Sequence, residues 1–315
     1  MNAVPTQPFG KLAPLDLKGT PAGALFSAWA DGIRETVNFG THVLYWCWGK
    51  APSSRDLPVI LSLRHALDML DAISILLKEG AADACKLQLR SLLEVFFGVR
   101  YILQADTAKR GMAFMVWHVN GRLRYYRKLD SKRESGKQLR QALKRDHWLK
   151  SVELPDIPEA EQLIGNLEEL LKEPDYAKAE AEYKRTRQKA SGRPLPWYAL
   201  YGGPHTVEGL AKVVGAEGVY EILYRDWSGV VHATSIIQGK ISPGGEPGVA
   251  ALHQIRHPRD AQTVLAYALP VGVDLIRATI EHYCPERLSD FRGWYVREMR
   301  EIMLLAGGEK LLNVE

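Results

Sequence analysis

Cysteine is scarce in this chain. Cys47, Cys85 and Cys284 are scattered over 315 residues, with no Cys-x-x-Cys pair among them. An odd, dispersed set excludes a disulfide framework and argues against a structural zinc site. A glycine-rich phosphate loop is absent, and His and carboxylate residues do not recur at metal-ligand spacing, so neither a cofactor nor a metal is expected. No uninterrupted apolar stretch reaches membrane-spanning length, and no membrane association is expected. Met1 to Pro14 is polar and proline-rich and lacks an apolar signal core, which makes a cytoplasmic location the expectation. A dominant charge is missing too. The net charge of +4 says nothing by itself about nucleic acid.

The rest of the composition is globular, with 46% hydrophobic and 25% charged residues, enough for a sizeable core. Repeated strand–helix alternation is absent and helical periodicity dominates. The spacing predicts helices from about Pro21 to Trp48, Leu57 to Lys78, Asp83 to Gln104 and Thr107 to Leu129. A later set is expected near Gly218 to Gln238, Pro258 to Tyr283 and Leu288 to Leu305. Val59, Leu63, Ala66, Leu70, Ile73 and Leu77 form one apolar stripe, which Gly80 stops. Ser242-Pro243-Gly244-Gly245 reads as a loop. The expected fold is all-α, an antiparallel helical bundle with a flexible segment at 1–20, bundle parts at 21–121 and 191–305, and a tail at 306–315.

Charge separates in the middle. Arg122 to Lys150 holds eleven Lys/Arg and three Asp/Glu, whereas Glu153 to Glu182 holds ten Asp/Glu and two Lys/Arg. Leu154-Pro155-Asp156-Ile157-Pro158 divides the blocks like a turn. Residues 122–190 therefore read as an inserted helical hairpin with a basic and an acidic arm. That surface could orient the arms against each other, receive a protein partner or grip a phosphate backbone.

Two segments carry the candidate chemistry. Tyr224-Arg225-Asp226-Trp227-Ser228-Gly229-Val230-Val231-His232 on one helix places Arg225 beside His232 and lines up Tyr224, Ser228 and His232. A cation, an imidazole, a hydroxyl and a carboxylate in one place suit a phosphate or a proton transfer. Arg90-Ser91-Leu92-Leu93-Glu94 puts Arg90 and Glu94 one turn apart. Leu87, Phe97 and Tyr101 share their face and Leu89, Leu93 and Phe96 line the other, so the pair is expected inside a buried helix. It then either fixes helix register or aims an arginine at an anion. On the second helix His65 and Asp68 are close enough for a carboxylate to orient an imidazole, or they belong to a polar face with Arg64 and Asp71. His118 reads as a core or boundary histidine. His253 and His257 fall at a loop-to-helix junction. Trp197 to Gly203 is aromatic, then glycine-rich. It either fastens a loop to the core or stacks a base, and Thr206 is placed to cap the short helix after it.

Arg90-Ser91-Leu92-Leu93-Glu94 with Tyr224-x3-Ser228-x3-His232, preceded by Trp197, resembles a bacterial family of uncharacterised helical domains over roughly Asp56 to Tyr283. That resemblance implies an all-helical fold and a shared polar site and carries no reaction. Arg225-Asp226-x5-His232 also resembles the Arg-x4–6-His motif of HEPN ribonucleases. This second resemblance implies a homodimeric, metal-independent RNA endonuclease of the toxin or phage-defence kind. In it Arg225 binds the scissile phosphate, His232 acts on the 2′-hydroxyl or the leaving oxygen, and Asp226 orients the pair. The competing expectation is a non-catalytic ligand- or partner-binding module with a buried network of Arg90, Glu94, Ser228 and His232.

Overall fold

The computed structural model describes residues 19–50, 52–155, 157–191, 194–231, 240–243, 250–252, 256 and 259–308. His232, His253, His257 and the segment before 19 lie outside them. The fold is all-α, and the chain divides into two compact units. One comprises the described residues within 1–50, 60–100 and 216–315, the other those within 51–59 and 101–215.

In the first unit α1 (Pro21–Trp48) begins where Thr20 accepts the Gly23 N–H on its hydroxyl at 3.0 Å and Pro21 takes the first helical position. The stripe expected on α2 (Leu57–Lys78) is fully buried, from Val59 through Leu77. Gly80 ends that helix in the left-handed conformation (φ 70°), and its N–H donates to the Leu77 carbonyl. α3 (Ala82–Gln104) follows. Near the other end of the chain α11 (Ala261–Tyr283) packs on α1. Gly40 on α1 and Gly272 on α11 also leave room for leucines of α2. A Cβ at Gly40 would lie 2.5 Å from Leu67 Cδ2, and one at Gly272 would lie 2.8 Å from Leu70 Cδ1. α11 has the length and hydropathy of a membrane span, but 67% of its apolar window is buried in the protein, as in a core helix.

α12 (Leu288–Trp294), a π turn (Tyr295–Met299) and α13 (Arg300–Gly307) form one run. Trp294 stacks on Phe39 at 4.2 Å between ring centres, and its indole N–H donates to Glu35 Oε1 at 2.8 Å. Of the expected helix near 218–238, the part up to Val231 is present as α9 (Glu217–Val219), a π turn (Tyr220–Tyr224) and α10 (Arg225–Val231), and the remainder lies outside the described residues. The stretch expected to be a loop includes strand β1 (Ile241–Pro243), antiparallel to β2 (Ala250–Leu252). Proline fits there because its missing N–H costs nothing on an edge strand.

In the second unit α4 (Thr107–Leu129) packs with α5 (Glu134–Arg145), α6 (Glu159–Leu170) and α7 (Pro174–Lys189). The charged region is thus three helices on α4 rather than two arms. Pro174 is the reason for the extra break: it occupies the start of α7 and cannot continue α6. The two charge blocks do meet, through Arg127–Glu168 at 2.7 Å and Lys132–Glu161 at 3.3 Å. A kinked 3-10 segment (Trp197–Gly202) and α8 (Val207–Val213) complete the unit, and Thr206 caps α8 by accepting the Gly209 N–H at 3.0 Å.

Candidate functional site

Within the first unit α3 presents a polar stripe to the helix that carries Tyr224. Asp83, Lys86, Arg90 and Glu94 recur every three or four residues, so their side chains rise along one face. At its centre the Tyr224 hydroxyl donates to Glu94 Oε1 at 2.7 Å, and Arg90 Nη2 donates to the same hydroxyl at 2.9 Å. Arg90 Nη1 lies 3.4 Å from Glu94 Oε1, and the guanidinium sits over the Tyr224 ring at 4.5 Å. Cation, hydroxyl and carboxylate therefore form a triangle closed by an aromatic face. The Tyr224 ring is held between Tyr220, stacked at 5.1 Å, and Phe97 at 6.3 Å.

Burial across this triangle is uneven. The Arg90 side chain is 18% exposed and that of Glu94 45%. Glu94 is thus on the rim of the site, and the expectation of a pair wholly inside a buried helix is corrected. Leu87, expected on the buried face, is 42% exposed, because that face turns to solvent one turn before Arg90. Arg90 Nε is shielded from solvent and has no hydrogen-bond partner among the described residues.

Lower on the stripe, Lys86 is only 11% exposed and is neutralised by Asp83 at 3.0 Å and Asp260 at 2.8 Å. Lys240 also pairs with Asp83, and Lys86 lies 6.0 Å from the centre of the buried Trp227 ring. Sequence reasoning missed Asp83, Lys86 and Asp260. The spacing from Asp83 to Glu94 was the available signal.

The other expected residues separate from this triangle. Arg225 is on the open side of its helix, 58% exposed, 2.9 Å from Glu221 and 5.7 Å from the centre of the Tyr220 ring. Asp226 is exposed and Ser228 half-buried. Among the described residues Ser228 makes no hydrogen bond to Arg90 or Glu94. His232, the partner expected for both motifs, falls outside the described residues.

His65 is exposed on α2, and the Asp68 carboxylate bonds Arg64 instead of orienting it. The physical reason is reach, since the flexible arginine one turn away meets the carboxylate directly. His118 is exposed, not a core or boundary residue. Its neighbour Trp117 takes the inward position and donates its indole N–H to the Leu195 carbonyl at 2.7 Å. No group of three or more His, Cys, Asp or Glu residues able to hold a metal occurs among the described residues.

No curated protein and no solved structure matches this chain. A family model does match, over residues 56–242, ending short of the Tyr283 that the sequence resemblance reached. It is described as a family of unknown function, DUF5677, and because the match spans more than half of the sequence the chain belongs to that family.

Proposed function

We propose that the chain is a HEPN-like, metal-independent RNA endonuclease of the toxin or phage-defence kind, acting as a cytoplasmic homodimer. The observation that carries this reading is the contrast between its two arginines. Arg90 is engaged by Tyr224 and Glu94 and mostly shielded from water, so it serves as a lock. Arg225 is solvent-accessible, and its pair with Glu221 is an exposed one within a helix. Such a pair contributes about 0.3–0.5 kcal/mol, and a guanidinium open to water is suited to a phosphate diester. The π turn Tyr220–Tyr224 directly before Arg225 supports the same reading, because π turns recur at functional sites.

In this mechanism Arg225 neutralises the scissile phosphate. His232 takes the proton from the 2′-hydroxyl, whose oxygen attacks phosphorus. The 5′-oxygen leaves and is protonated by water, giving a 2′,3′-cyclic phosphate end. Asp226 orients the pair. The Arg90–Tyr224–Glu94 lock fixes the rotation of the helix that carries them. Incubating the protein with RNA in chelator tests this. Wild type should cleave, and Arg225→Ala and His232→Ala should not, with melting temperatures unchanged. Equal cleavage by wild type and His232→Ala sinks the reading.

A second reading is a non-catalytic module in which the closed triangle is an end in itself. The shielding of Arg90 favours it. It expects no RNA cleavage by any variant, together with a loss of stability whenever the triangle is broken.

A further inference from the structure

The second unit contains a separate cavity of about 130 Å³ that the proposed reaction does not use. Its walls are aromatic: Tyr101, Trp197, Tyr198 and Tyr201. Its charged lining comes from the first turn of α4, where Lys109 and Arg110 follow Asp106. Lys109 Nζ lies 4.6 Å from the centre of the Tyr201 ring, and the Arg110 guanidinium 3.7 Å from that of Tyr101.

The wall is held rigidly, at a cost. Tyr201 adopts a left-handed backbone (φ 60°), which a bulky side chain disfavours by about 1–3 kcal/mol. The almost fully buried carboxylate of Glu182 holds it there by accepting the Tyr201 N–H at 2.9 Å. Gly203 lets the next turn close, since a Cβ there would lie 2.0 Å from the Tyr198 carbonyl oxygen.

We propose that this cavity binds a small planar anion: one ring among the Trp197, Tyr198 and Tyr201 side chains, with an acidic group neutralised by Lys109 and Arg110. Size limits the occupant, because cavities of about 150 Å³ take up benzene. A single ring enters and its charged group stays at the rim, where Lys109 is 48% exposed. Asp106 also lines the cavity, 3.8 Å from Lys109, and opposes an anion there, but it is 59% exposed and screened by water. Two sources supply such a ligand, a carboxylated aromatic ring and a pyrimidine nucleotide.

Calorimetry on the full chain tests the proposal with benzoate and uridine monophosphate as ring anions, uridine as a ring without charge and inorganic phosphate as charge without a ring. One or both ring anions should bind one per chain with Kd below about 1 mM. Which of them binds identifies the source. Lys109→Gln, at an exposed position, should weaken that binding by about tenfold, and Asp106→Asn should tighten it, both with unchanged melting temperature. The proposal is overturned if neither ring anion binds, if phosphate or uridine binds as tightly, or if Lys109→Gln binds like wild type.

Discussion

The Tyr224 hydroxyl joins Glu94 at 2.7 Å across 130 residues of sequence, and Arg90 donates to the same oxygen. One phenol thereby ties α3 to the helix bearing the Arg225 motif. Because Arg90 is shielded and Glu94 is on the rim, the two charges are not equivalent. Glu94→Ala leaves a mostly buried cation with its carboxylate gone and should cost about 2 kcal/mol. Arg90→Met keeps the packing of the stem and leaves a carboxylate that water can serve, so it should cost under about 1 kcal/mol. Urea unfolding of the two variants checks this order, and the reverse order contradicts it.

Glu182 makes the second unit sensitive to acid. Its desolvation would raise the carboxyl pKa, but the Tyr201 N–H, Arg185 and Thr186 outweigh that, and the group is held below its ordinary value. A depressed carboxyl contributes stability that is fully present above the unfolded-state pKa, about 4.3, and is lost as pH falls through the folded value. Melting temperatures taken from pH 6 down to pH 3 should therefore fall more steeply for wild type than for Glu182→Gln. At neutral pH Glu182→Ala should cost about 2 kcal/mol, because the Tyr201 N–H loses its partner.

The thiols act at the other end of the pH scale. Burial pushes the Cys85 thiol up to about 12, and burial with Cys284 3.7 Å away pushes Cys47 up to about 12. The folded state therefore keeps these protons above pH 9 while the unfolded chain releases them. Stability is full below the unfolded thiol pKa, about 8.5, and declines as pH rises toward 12, by up to about 1.4 kcal/mol per pH unit for each thiol. Cys85→Ala should flatten the alkaline decline measured by urea unfolding. Parallel slopes for variant and wild type would refute the assignment.

Two glycines should respond oppositely to alanine. At Gly203 the new methyl meets the Tyr198 carbonyl oxygen at 2.0 Å and the Tyr101 hydroxyl at 2.5 Å, and backbone must move. Gly203→Ala should cost about 3 kcal/mol. At Gly165, inside α6, nothing lies within 4 Å, so Gly165→Ala should stabilise by about 0.5–1 kcal/mol. Thermal unfolding of both variants checks the signs.

Much of the fold was legible because local signals agreed with packing. Pro21 and Gly80 mark helix ends, by a fixed backbone angle at the start and a left-handed one at the stop, and the α2 stripe is the period of a half-buried helix. The π turns at Tyr220–Tyr224 and Tyr295–Met299 were not legible, since the helical pieces flanking them are too short for the shift of the apolar face by one residue to show. At the site, Arg90, Glu94 and Tyr224 were readable as residues with the right chemistry, and Asp83 and Lys86 were readable by spacing alone. Which side of α3 meets water was not, and so Glu94 and Leu87 proved more exposed than expected. Asp68 illustrates a further limit. Arg64 and His65 both lie within its reach, and only the coordinates show that the arginine takes the carboxylate.

The joining of the two segments through one phenol is tested most directly by a double-mutant cycle of Tyr224→Phe and Glu94→Ala, read by urea unfolding. The hydroxyl bridge predicts a coupling energy of about 1 kcal/mol or more between the two positions. Strictly additive losses would contradict it.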